Sequence, residues 1–200
     1  MSKSIYHFGI FFLGLAAAGS LFLGILQLRF GMQLYTFNSF IAWFLALHTI
    51  SVIATIFLLK YYYNREYWAA FYTGIASTIT SLGFAAVSIM LLTSRALLSY
   101  YIPMLLIALG GGIIYALSIT FSITRKKFWL RMSGAYLLAI SLILLSITAW
   151  ALIFKDVQVN ITLGKIFQWT SIAACLTYIP LLRHFLDEVK LLTTQNMSPH

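Results

Sequence analysis

Acidic side chains are almost missing from this chain. Glu66, Asp156, Asp187 and Glu188 are the only four in 200 residues, and none lies inside a long apolar run. Ionisable groups at membrane depth are costly and tend to mark functional sites. Their absence there argues against aspartyl intramembrane proteolysis, carboxylate-held metals and carboxylate proton relays. Cysteine is equally scarce. Cys175 stands alone in an apolar segment, which excludes an internal disulfide and any multi-cysteine metal centre. No G-x-S-x-G elbow occurs, and no acid is spaced to orient a catalytic histidine.

Apolar residues fill the space that charge leaves. Hydrophobic residues make up 62% of the chain and charged residues 8%, with a mean hydropathy of +0.93. Soluble domains are usually about 25% charged. A soluble fold of this size could not cover so much apolar surface, so lipid is the expected solvent. The net charge of +9 would point to nucleic acid in a soluble protein. Here the cations sit at the ends of apolar runs, no docking motif accompanies them, and no nucleic-acid partner is expected.

The fold class expected is all-α, a single domain with a bundle of six transmembrane helices. A membrane helix needs about 20 mainly apolar residues. Six stretches qualify: Tyr6–Leu28, Phe37–Leu59, Ala69–Leu92, Tyr101–Ile123, Leu130–Phe154 and Ile161–Leu182. The first resembles a secretory signal in outline, with Ala16–Ala17–Ala18–Gly19 as a small-residue site. Its apolar run continues to Leu28, so an uncleaved helix is expected. Lys3, Lys60, Arg65, Arg125, Lys126, Lys127, Arg131, Arg183 and Lys190 fall on one side of this topology. Only Arg29, Arg95, Lys155 and Lys165 fall on the other. That bias places both termini in the cytoplasm, with residues 183–200 as a cytoplasmic tail and the cell membrane as the expected location. Tyr61, Tyr62, Tyr63, Tyr67, Trp68 and Trp129 cluster at the same edges and read as an interfacial aromatic belt. Roughly 60 residues remain outside the spans, too few and too scattered for a soluble domain.

Small residues at every fourth position mark helix contact faces in lipid. The fourth span carries Ala108, Gly112, Ala116 and Thr120 in such a row. The first carries Ala16, Ser20 and Gly24, and the third Thr73, Ser77 and Ser81. The spacing of the spans is close to duplicated after three, as an inverted repeat would require. Any six evenly spaced spans share that property, and the residues match poorly.

His48 is the histidine nearest a span centre. Helical spacing puts it on one face with Ser51 and Thr55, giving a candidate intramembrane polar site. An interhelical hydrogen bond is the plainer role. Haem or quinone binding is the sharper one, but a second axial histidine at the same depth is wanting. His7 and His184 lie together at the opposite, inner edge. Asn38, Ser39, Gln168, Thr170 and Ser171 form a second candidate patch near the outer end. Pro180 is placed to kink the sixth span, and Leu181–Leu192 reads as an amphipathic extension that lies on the membrane or docks a partner. Asn160–Ile161–Thr162 matches a glycosylation sequon.

The expected function is that of a non-enzymatic membrane protein, a small transporter-like unit or a helical subunit of a larger complex. Its partners would be membrane lipids and other membrane subunits or further copies of itself. A haem- or quinone-binding redox component and an intramembrane lipid-acting enzyme are the alternatives from other classes.

Overall fold

Lipid offers backbone amides no hydrogen-bond partners, so each apolar run must satisfy its own, and a helix does that within one segment. The computed structural model describes residues 2–31, 37, 39–93, 98–153, 165–166, 168–170 and 172–197. Among them the fold is all-helical: α1 (Lys3–Phe30), α2 (Phe40–Asn64), α3 (Trp68–Thr93), α4 (Leu98–Ser122), α5 (Phe128–Ile153) and α6 (Tyr178–Met197). The first five are long and apolar enough to cross a membrane. The shortest of these have 25 residues, about 38 Å of helix against a hydrocarbon core of about 30 Å. The chain is therefore a helical, multi-pass membrane protein.

The sixth expected span is described only in part, and its residues 165–166, 168–170 and 172–173 are helical. Residues 161–164, 167 and 171 lie outside the described residues, as do Asn38 and the sequon at Asn160. A 3-10 turn, Ala174–Thr177, leads directly into α6, which passes the expected boundary at residue 182 and continues to Met197. Pro180 therefore sits in the first turn of a helix. A missing amide is tolerated there, because the first-turn amides have no intrahelical acceptor.

A tight turn joins α2 to α3. Glu66 takes a positive φ of 58°, and the amides of Glu66 and Tyr67 donate back to the carbonyls of Tyr63 and Tyr62. This is a Schellman-type stop, with a glutamate where glycine is usual. Each helix packs on its neighbour in sequence, and α6 packs on both α5 and α1, which closes the six helices into a ring.

Glycines set the closest approaches. A Cβ at Gly111 would lie 2.7 Å from Thr80 Oγ1 of α3, while one at Gly112 would meet Ser141 of α5 at 3.6 Å. Adjacent residues of α4 thus face opposite neighbours. Ala116 is fully buried, and Thr120 approaches Gly134 of α5. Ala108, the first residue of that row, is half-buried. The core itself lies toward one end of the ring, where Tyr6, Phe57, Tyr61, Tyr62, Leu130 and Phe185 are buried. Large apolar side chains such as Phe11, Ile79 and Phe121 point outward, as expected with lipid as the solvent.

Candidate functional site

A cavity of about 300 Å³ lies inside the ring, with walls from all six helices. His48, Ser51 and Thr55 of α2 line it together, and Tyr62 lines it further along the same helix. Fourteen residues separate His48 from Tyr62, about 21 Å of helix, so the cavity is elongated along the bundle. From α3 come Ser77, Thr78 and Ser81; from α4, Tyr115; from α5, Ser133. Thr177 and Tyr178, where the 3-10 turn meets α6, complete the polar lining. Gly74 also lines the cavity, where a Cβ would lie 2.8 Å from Leu59 and 3.1 Å from Tyr115, and Leu13, Val52 and Leu137 supply apolar wall. Among the described residues, none that lines the cavity is Asp, Glu, Lys or Arg.

Hydrogen bonds fix what this lining can offer. His48 Nδ1–H donates to the Phe44 carbonyl at 2.9 Å, so Nε2 is the ring nitrogen left for another partner. Thr55, Thr78, Ser133 and Thr177 donate to carbonyls of their own helices at 2.7–2.8 Å. Their protons are spent, and their oxygens remain as acceptors. Tyr62 and Tyr115 share a hydrogen bond of 3.1 Å between hydroxyls across α2 and α4. Tyr178 lies within hydrogen-bonding reach of Ser20 and Ser51. The cavity is thus rich in acceptors and partly apolar.

A second cluster stands just beyond, at the end of the ring where the connections are basic. Glu188 of α6 is only 4% exposed. Arg65, from the α2–α3 turn, donates to Glu188 Oε2 at 2.6 Å, and Lys127, from the α4–α5 connection, donates to Oε1. His184, one turn back on α6, has Nε2 2.9 Å from the Tyr61 hydroxyl and 3.9 Å from Glu188. Arg65 also lies 5.8 Å over the Tyr61 ring and within reach of the Tyr6 hydroxyl. Burial dominates at His184 and holds its pKa down at about 4, despite the nearby carboxylate. Burial pushes Glu188 upward, but Lys127 and Arg65 together outweigh it, and the carboxyl stays below its ordinary value. Glu188 is therefore a carboxylate and His184 a neutral imidazole at physiological pH.

Several sequence expectations need correction here. Tyr61 and Tyr62 are fully buried core residues rather than members of the interfacial belt; Tyr63, Trp68 and Trp129 are the exposed ones. The amphipathic extension of α6 docks on the chain's own α1 and α5 rather than lying free on the membrane. His7 is exposed while His184 is buried against Tyr61, so the two do not meet. Of the outer-end patch, Asn38 and Ser171 lie outside the described residues, Ser39 is exposed and Gln168 half-buried. Thr170 is buried and donates to the Ile166 carbonyl, and none of these residues lines the cavity. Glu188 was missed because charge on an amphipathic helix is ordinarily assigned to its solvated face. Its spacing carries the signal: Leu181, His184, Phe185, Glu188 and Leu192 recur at three and four, which puts the imidazole and the carboxylate on the apolar face. The chain matches no family model, no curated protein and no solved structure.

Proposed function

We propose that this is a six-span membrane protein, with both termini in the cytoplasm, that binds a small uncharged amphipathic molecule in its mid-bundle cavity and acts as a carrier-like unit. The observation that carries this reading is the cavity: about 300 Å³, lined by hydroxyls from five helices and by the His48 imidazole, with no Asp, Glu, Lys or Arg among the described lining residues. Ligand sites typically start near this volume and combine apolar walls with a few convergent polar groups. An acceptor-rich lining favours a ligand that donates hydrogen bonds. A charged ligand would lose its hydration without gaining a counter-ion there. The haem alternative draws less support, since among the described residues no second histidine joins His48 in the lining.

The test is a thermal-shift screen of uncharged alcohols, amides and phenols against the detergent-solubilised protein. At least one hydrogen-bond donor should raise the Tm of the wild type, with the gain reduced in His48→Ala and lost in Ser77→Leu, which fills the cavity. Stabilisation by charged compounds alone, or equal gains in both variants, would contradict the reading. The topology is checked separately, by labelling single cysteines at Ser2 and Lys126 with an impermeant reagent in a Cys175→Ala background. Both should be reached only from the cytoplasmic face.

A further inference from the structure

We propose that α6 is a hinged wall of the cavity, latched shut at the basic end by Glu188 against Arg65 and Lys127. The inference rests on the cavity's walls and not on any ligand within it.

Three features of one segment carry it. At its start, Thr177, Tyr178 and Leu181 form part of the cavity wall. Ten residues beyond Tyr178, about 15 Å along the helix, Glu188 is held by the two cations. Neither cation belongs to α6: Arg65 lies between α2 and α3, and Lys127 between α4 and α5. The carboxylate thus ties the end of one wall to two separate connections across the ring. A single side chain holds α6 to both halves of the bundle.

The hinge lies at the start of this wall and shares Thr177 with it. The backbone narrows to a 3-10 turn over Ala174–Thr177, and Pro180 follows in the first turn of α6. A short 3-10 stretch between helical segments bends at lower cost than a continuous α-helix. Between hinge and latch, a buried layer seals the cavity from the basic end. Tyr61, Phe185 and Leu130 are fully buried there, and Phe57 packs edge-on against Phe185 at 4.8 Å between ring centroids. Phe185 belongs to α6, so any swing of α6 away from α2 withdraws part of this seal. Tyr61 and Tyr62 tie the two features together, since one bonds the latch-side His184 and the next lines the cavity.

The latch geometry also favours two discrete states. A carboxylate this buried is strongly destabilised when it loses its cations and stays in place. Once the pairs break, Glu188 is better solvated than buried, and α6 moves with it. Arg65, whose side chain is 44% exposed, is the partner that water reaches first.

The experiment measures access to the cavity. Ser133, buried on α5 at the cavity wall, is replaced by cysteine in a Cys175→Ala background, and its reaction rate with a charged methanethiosulfonate is followed at pH 7.5. A parallel Ala85→Cys protein reports general loosening, since Ala85 is buried on α3 away from this lining. Adding Glu188→Gln should speed modification at position 133 at least tenfold and leave position 85 unchanged. An unchanged rate at 133, or equal acceleration at both positions, would overturn the latch. Should Glu188→Gln fail to give a monodisperse protein, Lys127→Gln and Arg65→Gln decide by the same criterion. Each removes only one of the two ties, and each should give an intermediate acceleration.

Discussion

At the scale of single residues, one imidazole and one carboxylate behave against their usual character. His184 is neutral because burial disfavours its charged form, with a folded pKa of about 4 against an ordinary 6.5. The unfolded chain therefore binds the extra proton between those values. This contribution to stability is complete above pH 6.5 and is lost as the pH falls toward 4. Glu188 acts in the same direction further down, since its pKa is depressed and its contribution fades as the carboxyl protonates below its ordinary 4.5. Acidification from pH 7.5 to 4.5 should lower the Tm of the detergent-solubilised protein, with His184 contributing on the order of 2–3 kcal/mol. His184→Gln should flatten most of that slope between pH 6.5 and 4.5, and an unchanged slope would show that His184 is not buried neutral. Lys127→Met should cost about 3 kcal/mol by leaving Glu188 short of a counter-charge. The double variant Lys127→Met/Glu188→Met should recover much of that loss, as read from unfolding midpoints. These two residues were the least legible in the sequence. Nothing local says whether a charge at Glu188 faces water or protein, because its partners Arg65 and Lys127 lie 123 and 61 positions away.

At the scale of elements, the five long helices could be read directly from apolar length, because lipid leaves the backbone no other arrangement. The α2–α3 turn was legible only as a charged break, Lys60 to Arg65. Its Schellman geometry depends on Glu66 accepting a left-handed backbone. Glu66→Gly should relieve that strain and raise stability by up to about 1 kcal/mol, whereas Glu66→Val should cost about 1–2 kcal/mol. The small-residue row of α4 was legible as a contact face, but not which neighbour it would meet. Side-chain volume now distinguishes the glycines. A Cβ at Gly134 would lie 2.8–2.9 Å from Ile119, so Gly134→Val should force α4 and α5 apart and destabilise by about 1–3 kcal/mol. A Cβ at Gly110 meets nothing within 4 Å, and Gly110→Ala should be stabilising by about 0.5–1 kcal/mol through helix propensity. Comparable losses at both positions, measured by thermal unfolding, would refute the packing described for this helix pair. The sixth element was the hardest to delimit. Hydropathy falls away after Leu182 while the helix continues, since α6 exchanges lipid contacts for contacts with Phe57, Tyr61 and Tyr6.

At the scale of the whole molecule, the ring of six helices does two things with few charged residues. It places hydroxyls inward around a cavity, and it gathers the basic connections at one end, where one carboxylate binds two of them. The polar stripe of His48, Ser51 and Thr55 could be read from helical spacing on α2. The cavity could not, since Ser77, Tyr115, Ser133 and Tyr178 approach it from four other helices at unrelated sequence positions. A cavity latched by α6 should hold its occupant through gentle extraction. The most direct measurement is native mass spectrometry of the wild type and Ser77→Leu, each extracted from its membrane in a mild detergent. The wild type should carry one small uncharged molecule that leaves as a neutral on collision, and Ser77→Leu should be bare. A bare wild type, or the same adduct on both proteins, would contradict a ligand site in the cavity.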